Sequence, residues 1–490
     1  MLNIQKKLTN SFYALLSLPS TAMGFALSIQ ISALSWILST KYGLKIDDVG
    51  LVWAAGPIAG ILGQVIIGII SDKVWLWKGR RRPFIFIGGF LAALMLLALP
   101  NIDVISKSLG LNGILGVAIV VALTLDLAIN VSFNPTRSII ADVTPEGVER
   151  TKGYSWMQTI SGTFGVLAYV IGAVWNNYVL IYTGVGLVLI LSVIPPFFIE
   201  EPRELETKDG SAVQSKGNKT SLISILKDIQ PLWGFLIYAV YAIATRMLQI
   251  KFNNYYVELA CFIITIYFII KVLLKNVEGK SKSEAGIIGF KKVLAAHSFT
   301  WIGIQTMFIY MFAYVQYKVY NFAPDAVIPG SVQIEMGRIV SISFLILNAV
   351  GAVLPAFVLE PITRKIGRVK THAFCILSMA IGYAGMLFLG FSPVVIYILM
   401  GVLGIGWAST ISLPFAIMSQ KVDQAKMGLY MGLFNLAVVL PQLVASFGVG
   451  QAVNEAPNKS LIFIISTFTL AVSAALWFFV KEDVSPVEER

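Results

Sequence analysis

A series of long apolar runs constrains this chain more than any other feature. Each run has about 20 residues, enough for a helix to cross the hydrocarbon core of a bilayer. Only 13% of the residues are charged, against about a quarter in soluble proteins. We place twelve spans at 12–38, 49–70, 84–100, 113–140, 154–175, 178–198, 293–316, 336–359, 372–390, 394–419, 428–450 and 460–480. With 57% hydrophobic residues and a mean hydropathy of +0.79, the chain is predicted to be an all-α integral membrane protein.

A short basic loop occurs twice in the sequence. Residues 68–83 hold Asp72 followed by five Lys and Arg residues, and residues 360–370 hold Glu360 followed by another basic group. Asp72 and Glu360 are 288 positions apart, as are Gly79 and Gly367. A loop repeated at a fixed offset indicates two homologous halves. Basic loops between spans are typical of the cytoplasmic side. The sequence therefore predicts two pseudo-symmetric six-helix bundles facing each other around a central cavity.

The predicted organisation has four parts. They are an N-terminal six-helix bundle at 1–198, a cytoplasmic linker at 199–231, an inserted helix pair with a cytoplasmic loop at 232–292, and a C-terminal six-helix bundle at 293–490. The pair consists of two further apolar runs, at 232–250 and 255–274, and raises the total to about fourteen transmembrane helices. Both termini are then cytoplasmic, and most of the 37 Lys and Arg residues lie on the inner side.

One alternative for the inserted pair stays open. On the fourteen-helix layout, Arg246 and Lys251 lie at an outer turn, where basic residues are unusual. Long basic side chains can extend along the helix to reach the interface. The other arrangement has twelve spans, with 232–274 forming a hairpin in the membrane surface.

The sequence contains no pattern that favours an enzyme. It has no Gly-x-x-x-x-Gly-Lys phosphate loop, and His297 and His372 lie in no cluster typical of a metal site. Cys261 and Cys375 fall in apolar runs, so no disulfide framework is expected. The net charge of +11 comes from loops between spans and does not indicate nucleic acid. We expect no cofactor, no metal and no nucleic-acid partner.

The fourth span carries a polar stripe. Asp126 falls near the middle of the run, where a carboxylate is costly and indicates function. Eleven residues at about 100° each bring Arg137 to within about 20° of the Asp126 face, and Asn130 lies between them. Asp126 is therefore a candidate for reversible protonation. The alternative is a permanently paired structural acid.

Other spans carry uncharged polar or aromatic groups near mid-membrane. Amides offer paired donors and acceptors, and an indole ring offers a flat face, which suits a neutral polyhydroxylated ligand. The candidate binding residues are Gln30, Asn130, Gln305, Tyr310, Asn348, Trp407 and Asn435. Taken singly, each can also serve helix packing.

The repeated loops have a mechanical interpretation. Asp72 can pair with Arg80, Arg81 and Arg82 or face a helix N-terminus, and Glu360 can do the same with Arg368 and Lys370. Such contacts would hold an inner gate closed until the halves move. The alternative is that the basic residues serve topology alone. Trp75 and Trp77 in the first loop are predicted interfacial anchors.

Four motifs together resemble a known family. They are Gly68-Ile-Ile-Ser-Asp72-Lys73 with Gly79-Arg-Arg-Arg-Pro-Phe84, then Gly56-Pro57-Ile-Ala-Gly60, then Asp126-Leu-Ala-Ile-Asn130 with Pro135 and Arg137, and Gly428-Leu-Tyr-Met-Gly432-Leu-Phe-Asn435 with Pro441-Gln442. The first resembles the loop of the major facilitator superfamily. The set resembles the plant sucrose–proton symporters and their bacterial maltose-transporter relatives, and it spans both halves.

The resemblance implies import of a disaccharide, such as maltose or another α-glucoside, together with protons. It implies that Asp126 couples the proton and that Arg137 contacts substrate or the coupling group. The implied setting is a cell membrane, the inner one in a bacterium, with lipid and a sugar as partners and a monomer as the functional unit. Sodium coupling, a passive sugar facilitator, a proton-driven exporter of amphiphilic molecules and a transporter-like sugar sensor stay open.

Two departures from the plant members favour the maltose-type branch. The plant members carry acids on the span that here runs through residues 300–320, which contains none. They also carry a histidine in the first outer loop, which here is Lys41-Tyr-Gly-Leu-Lys45. The inserted helix pair is a feature of neither branch.

Overall fold

The fold is described from a computed structural model. It describes residues 3–60, 75–111, 113–145, 148–202, 222–248, 250, 252, 254–323, 326–422, 427–456 and 459–482. The chain divides into two compact units. Unit 1 comprises Met1–Gln214 and Phe322–Leu345, and unit 2 comprises Ser215–Asn321 and Ile346–Arg490.

The described residues are mainly helical, and the principal helices are numbered in chain order. In order they are α1 (Asn10–Thr40), α2 (Ile46–Trp53), α3 (Arg82–Ala98), α4 (Ile114–Val143), α5 (Val148–Val174), α6 (Asn177–Val193), α7 (Trp233–Met247), α8 (Tyr256–Leu273), α9 (Lys282–Tyr314), α10 (Gly330–Leu354), α11 (Arg368–Leu389), α12 (Pro393–Lys421), α13 (Met427–Val444) and α14 (Leu461–Trp477). Three of them continue into π-helical turns, at Val315–Val319, Pro355–Leu359 and Ala445–Val449.

The all-α prediction is confirmed. Among the described residues, eleven helices are long and apolar enough to cross a membrane. Helix α14, with 17 residues, is a shorter apolar helix, and α7 has 15 residues. The second predicted span begins at α2, and its continuation through 61–74 lies outside the described residues. Helices suit this composition because they satisfy every interior backbone hydrogen bond within one segment, without water.

Small residues let the helices of unit 1 approach closely. A Cβ on Gly184 of α6 would lie 2.0 Å from the Ile29 side chain of α1, and a Cβ on Gly89 of α3 would lie 2.0 Å from the Ser192 Cβ of α6. Such close packing replaces the hydrophobic driving force that helices lose in lipid. At one end of the unit, Phe12, Tyr13, Leu16, Ile85, Ile139, Ile140, Met157 and Ile199 form a buried cluster.

The first part of α10 belongs to unit 1. The Ser341 hydroxyl donates to the Asn177 side-chain carbonyl at 3.0 Å and lies 2.7 Å from the Ser32 hydroxyl. The Trp36 indole donates to the Gln333 carbonyl at 2.8 Å. Helix α10 is thus held in unit 1 by buried polar contacts, while its remaining residues from Ile346 belong to unit 2.

The inserted residues form two packed helices in unit 2. A Cβ on Gly234 of α7 would lie 2.0 Å from the Thr265 hydroxyl of α8, so the two helices touch. The rings of Trp233 and Phe268 meet edge to face, with centroids 4.8 Å apart. Phe235 of α7 contacts Phe299 of α9, which joins the pair to the rest of the unit.

A carboxylate caps the first helix after each repeated loop. Glu201 accepts the backbone N–H groups of Arg80, Arg81 and Arg82, each at 2.8 Å, at the start of α3. In unit 2, Glu482 accepts the N–H groups of Arg368 and Val369 at 2.9 and 2.8 Å, at the start of α11. These bonds satisfy donors that a helix start leaves free and place negative charge at the positive end of the helix dipole.

The capping carboxylates explain why each repeated loop has a glycine at this position. A Cβ on Gly79 would lie 2.6 Å from Glu201 Oε1, and a Cβ on Gly367 would lie 2.8 Å from Glu482 Oε2. Gly367 also has φ +88° and ψ 160°, a conformation that is essentially restricted to glycine. The 288-residue repeat therefore preserves the space that a capping carboxylate needs.

We predict that Gly367→Ala destabilises the protein by about 1–3 kcal/mol, because alanine must adopt a strained backbone and displace the Glu482 cap. The matched control is Gly432→Ala in α13, where an added Cβ meets nothing within 4 Å. Apparent melting temperatures in detergent compare the two. Equal melting temperatures for the two variants would contradict the prediction.

Candidate functional site

The candidate proton site in unit 1 is a buried acid with one amide donor. Asp126 on α4 is 5% exposed, and the Gln30 amide on α1 donates to its Oδ2 atom at 2.9 Å. Gly56 lies beside the same carboxylate, since a Cβ there would be 3.5 Å from Oδ2. An amide donor stabilises the charged carboxylate without adding a charge of its own. The group can therefore exist in either protonation state.

The other stripe residues of α4 have different contacts. The Asn130 amide donates to the backbone carbonyl of Asp126 at 2.8 Å. The Arg137 side chain is exposed, with its guanidinium carbon 4.1 Å above the Phe133 ring. Among the described residues, no ion pair joins Asp126 to Arg137. The structure thus brings together Asp126 and Gln30, and the coupling role of Arg137 stays a prediction.

An aromatic and amide cluster in unit 2 surrounds Trp407 of α12. The Trp407 indole donates to the Asn348 side-chain carbonyl of α10 at 3.2 Å. Trp301 and Phe308 of α9 meet the indole edge to face, with centroids 6.3 and 5.3 Å away. A Cβ on Gly351 would lie 2.7 Å from the indole Cδ1 atom, so that position gives the ring its space. Trp407 is only partly buried, which leaves part of its surface free to meet a ligand.

Two further predicted residues, Gln305 and Tyr310, face α13. The Gln442 amide donates to the Gln305 side-chain carbonyl at 3.1 Å. The Tyr310 hydroxyl lies 3.1 Å from the Ala445 carbonyl and 3.4 Å from that of Ser446. Tyr310 therefore binds the backbone of α13 in this structure, while Gln305 forms an amide pair. Asn435, also on α13, is partly buried.

The predicted gating residues are placed in part. Asp72 and the side chain of Glu360 lie outside the described residues. Arg81 forms an ion pair with Asp142 of α4, with Nε 3.0 Å from Oδ2 and both side chains largely buried. The backbone N–H groups of Arg80, Arg82 and Arg368 serve the glutamate caps, and Lys370 is exposed.

Sequence reasoning gave no site role to five residues at these sites. Trp301, Phe308 and Gln442 complete the unit 2 cluster, and Glu201 and Glu482 cap the loops. The glutamates carried a signal, because each follows the last predicted span of its half. Trp301 and Phe308 carried none, since aromatic residues are common on any span. In the part of the chain that the structure describes, no three His, Cys, Asp or Glu side chains are grouped to hold a metal.

Curated relatives are found for most of the chain. It is 24% identical over 495 residues to the Arabidopsis thaliana protein "Sucrose transport protein SUC4", covering 95% of this chain and 88% of the relative. It is 30% identical over 174 residues to the Schizosaccharomyces pombe "General alpha-glucoside permease", covering 32% of this chain and 31% of that protein.

Solved structures and the family model agree on the fold. The chain matches the structure of an auto-inhibited POT family peptide transporter with a TM-score of 0.65 at 11% identity, covering 97% of this chain and 98% of that one. At that identity the likeness establishes the fold alone, and it confirms the predicted fold class. The family model described as Major Facilitator Superfamily matches residues 16–446. The chain therefore belongs to the Major Facilitator Superfamily, a family of multi-pass membrane transporters rather than enzymes.

Proposed function

We propose that this protein imports a disaccharide together with protons by alternating access. The observation that carries the proposal is the Asp126–Gln30 pair, a buried carboxylate whose described partner is a neutral amide. The relatives support the substrate class, because their names describe transport of sucrose and α-glucosides. Two departures from the plant pattern, the acid-free segment 300–320 and the histidine-free segment 41–45, favour maltose or another α-glucoside.

The coupling step follows from the cost of a buried charge. An ionised carboxylate deep in a membrane protein is expensive to move through a low-dielectric region. Protonation of Asp126 removes that charge, and the Gln30 side chain can then offer its carbonyl oxygen to the new O–H donor. A carrier that changes access only when Asp126 is neutral links the proton gradient to sugar movement.

Sugar recognition is assigned to the cluster in unit 2. The indole face of Trp407 suits the C–H face of a pyranose ring, and the amides of Asn348, Gln305 and Gln442 suit its hydroxyl groups. These amides already bond to neighbours in the structure, through the Trp407–Asn348 and Gln305–Gln442 contacts. Their orientation is thus fixed before a ligand arrives, which lowers the entropy lost on binding.

The membrane orientation is part of the proposal. Both repeated basic loops and the linker at 199–231 are assigned to the cytoplasm, because Lys and Arg are enriched on that side. Both termini are then cytoplasmic, and the protein works as a monomer in the cell membrane. The glutamate caps of α3 and α11 fix the ends of these helices at that surface.

We predict that Asp126→Asn binds and exchanges sugar but cannot accumulate it. Asparagine resembles the protonated acid in shape and charge, so access can change without a proton. Proteoliposomes loaded with maltose should show counterflow of labelled maltose, whereas uptake driven by an inward proton gradient should be lost. The control is Asp103→Asn, which removes an exposed acid that pairs with Lys41 at 3.2 Å. Accumulation by Asp126→Asn at the wild-type level would exclude Asp126 as the coupling group.

We predict that Trp407→Ala raises the KM for sugar by about tenfold to a hundredfold, because alanine offers the sugar none of the apolar surface of the indole ring. Trp407→Phe keeps a smaller aromatic ring, so its KM should lie between those of the wild type and of Trp407→Ala. The matched control is Trp175→Ala, at an indole that is 56% exposed. Initial uptake rates over a range of maltose and sucrose concentrations give KM and kcat. An unchanged KM for Trp407→Ala would remove Trp407 from the sugar site.

A further inference from the structure

The inserted pair and the residue Asp228 that precedes it contact α13 and its extension at several points. Near the start of α13, the Tyr430 hydroxyl donates to Asp228, just before α7, at 3.3 Å. Further along, Arg246 of α7 donates to the Phe447 carbonyl at 3.3 Å. At the end of the extension, in the short helix Gly450–Glu455, the Tyr255 hydroxyl donates to Glu455 at 3.0 Å. The pair itself therefore holds α13 near the π-turn and at the end of its extension, and Asp228 adds a contact near its start.

The central contact falls on an irregular turn. Residues Ala445–Val449 are π-helical, with bonds from residue i to i+5. A π-turn departs from the regular α-helical pairing, and its carbonyl oxygens have a second lone pair that can accept a hydrogen bond from outside the helix. Tyr310 of α9 supplies a donor to the Ala445 and Ser446 carbonyls, and Arg246 supplies one to the next carbonyl, that of Phe447. One hydroxyl of α9, shared between two carbonyls, and one guanidinium of α7 thus reach three successive carbonyls of the turn.

Arg246 is suited to this position. Its guanidinium carbon lies 4.5 Å above the Phe447 ring, and its Nη1 atom donates to the Ala242 carbonyl of its own helix at 3.4 Å. A planar cation over an aromatic ring gains a cation–π attraction in addition to the hydrogen bond. Arg246, a basic residue at a predicted outer turn, therefore has a specific partner in Phe447. Topology alone does not account for that.

The same turn adjoins the proposed sugar site. Gln442 lies three residues before Ala445, and its amide donates to Gln305 at 3.1 Å. A change in the geometry of the π-turn rotates or shifts the preceding turn of α13, and Gln442 moves with it. The turn is held from α9 by Tyr310 and from α7 by Arg246.

We infer that the inserted pair positions the sugar site by fixing the π-turn of α13 through Arg246. Arg246 is a positioning residue, because it acts on Gln442 through the backbone. This inference rests on the proposed function for its transport readout, and a labelling experiment below tests it without transport. The inserted helices would then contribute to sugar binding as well as packing against unit 2.

The first experiment measures KM and kcat for maltose and sucrose in Arg246→Met, Arg246→Lys and Lys271→Met. Arg246→Met should raise KM by about fivefold to tenfold, less than the direct loss of a hydrogen bond to a charged group would cause, because Arg246 acts on the site through the backbone, with kcat little changed. Arg246→Lys keeps a donor and should restore part of the affinity. Lys271→Met is the matched control, since Lys271 of α8 lies over the Tyr267 and Phe268 rings of its own helix. Equal KM values for Arg246→Met and Lys271→Met would contradict the inference.

A second variant tests the same contact from α13. A Cβ on Gly448 would lie 2.8 Å from the Tyr238 hydroxyl of α7 and 3.5 Å from the ring carbon that bears it. Gly448→Ala should therefore displace the π-turn and raise KM. Tyr238→Phe removes the hydroxyl, so the double variant should return to near the wild-type KM. If Gly448→Ala has no effect, or if Tyr238→Phe does not rescue it, the pair does not set the position of the turn.

The labelling experiment needs no substrate. Gln442→Cys is introduced into a chain in which the buried Cys261 and Cys375 are replaced by alanine. The rate at which this cysteine reacts with a membrane-permeant maleimide is measured with Arg246 intact and with Arg246→Met. A different rate is expected, because the cysteine moves with the turn, and an equal rate would overturn the inference. If neither sugar is transported, the proposed function fails while this rate still decides the positioning role.

Discussion

The hydrocarbon interior of a membrane offers no water to backbone groups, and this constraint underlies most of the structure. The chain satisfies it by forming helices, and the exceptions occur where helices begin or become irregular. At the starts of α3 and α11, Glu201 and Glu482 accept the free N–H groups. At the π-turn of α13, Tyr310 and Arg246 donate to backbone carbonyls. In both places, side chains complete or supplement the backbone hydrogen bonding.

The same constraint shapes the polar groups inside the bundles. Within each unit, amide side chains bond to a neighbour in pairs, such as Gln30 with Asp126 and Gln305 with Gln442. A paired amide costs little to bury and keeps a fixed orientation. Replacing one partner by a ligand hydroxyl or a proton-bearing oxygen exchanges one hydrogen bond for another. A transporter needs that balance, because a site that binds too tightly cannot release its cargo.

The sequence predicted much of the fold and the position of the acid. Composition and the repeated loop predicted an all-α membrane protein, and the carboxylate of Asp126 is unmistakable in an apolar run. Pairings across the fold were harder to predict. Gln30 and Asp126 are 96 residues apart, and Gln305 and Gln442 are 137 apart. Tertiary packing brings these partners together, so no periodic pattern in the sequence marks them as partners. The partner of Arg246 is a backbone carbonyl on an irregular turn, which side-chain patterns do not encode.

The central claim is that sugar and protons move together. Proteoliposomes containing the purified protein, with no initial gradient and weakly buffered medium, test it most directly. Adding maltose outside should make the external medium more alkaline as protons enter with the sugar, and a proton ionophore should abolish the pH change while sugar still enters. Sugar entry with no accompanying change in external pH would contradict the account.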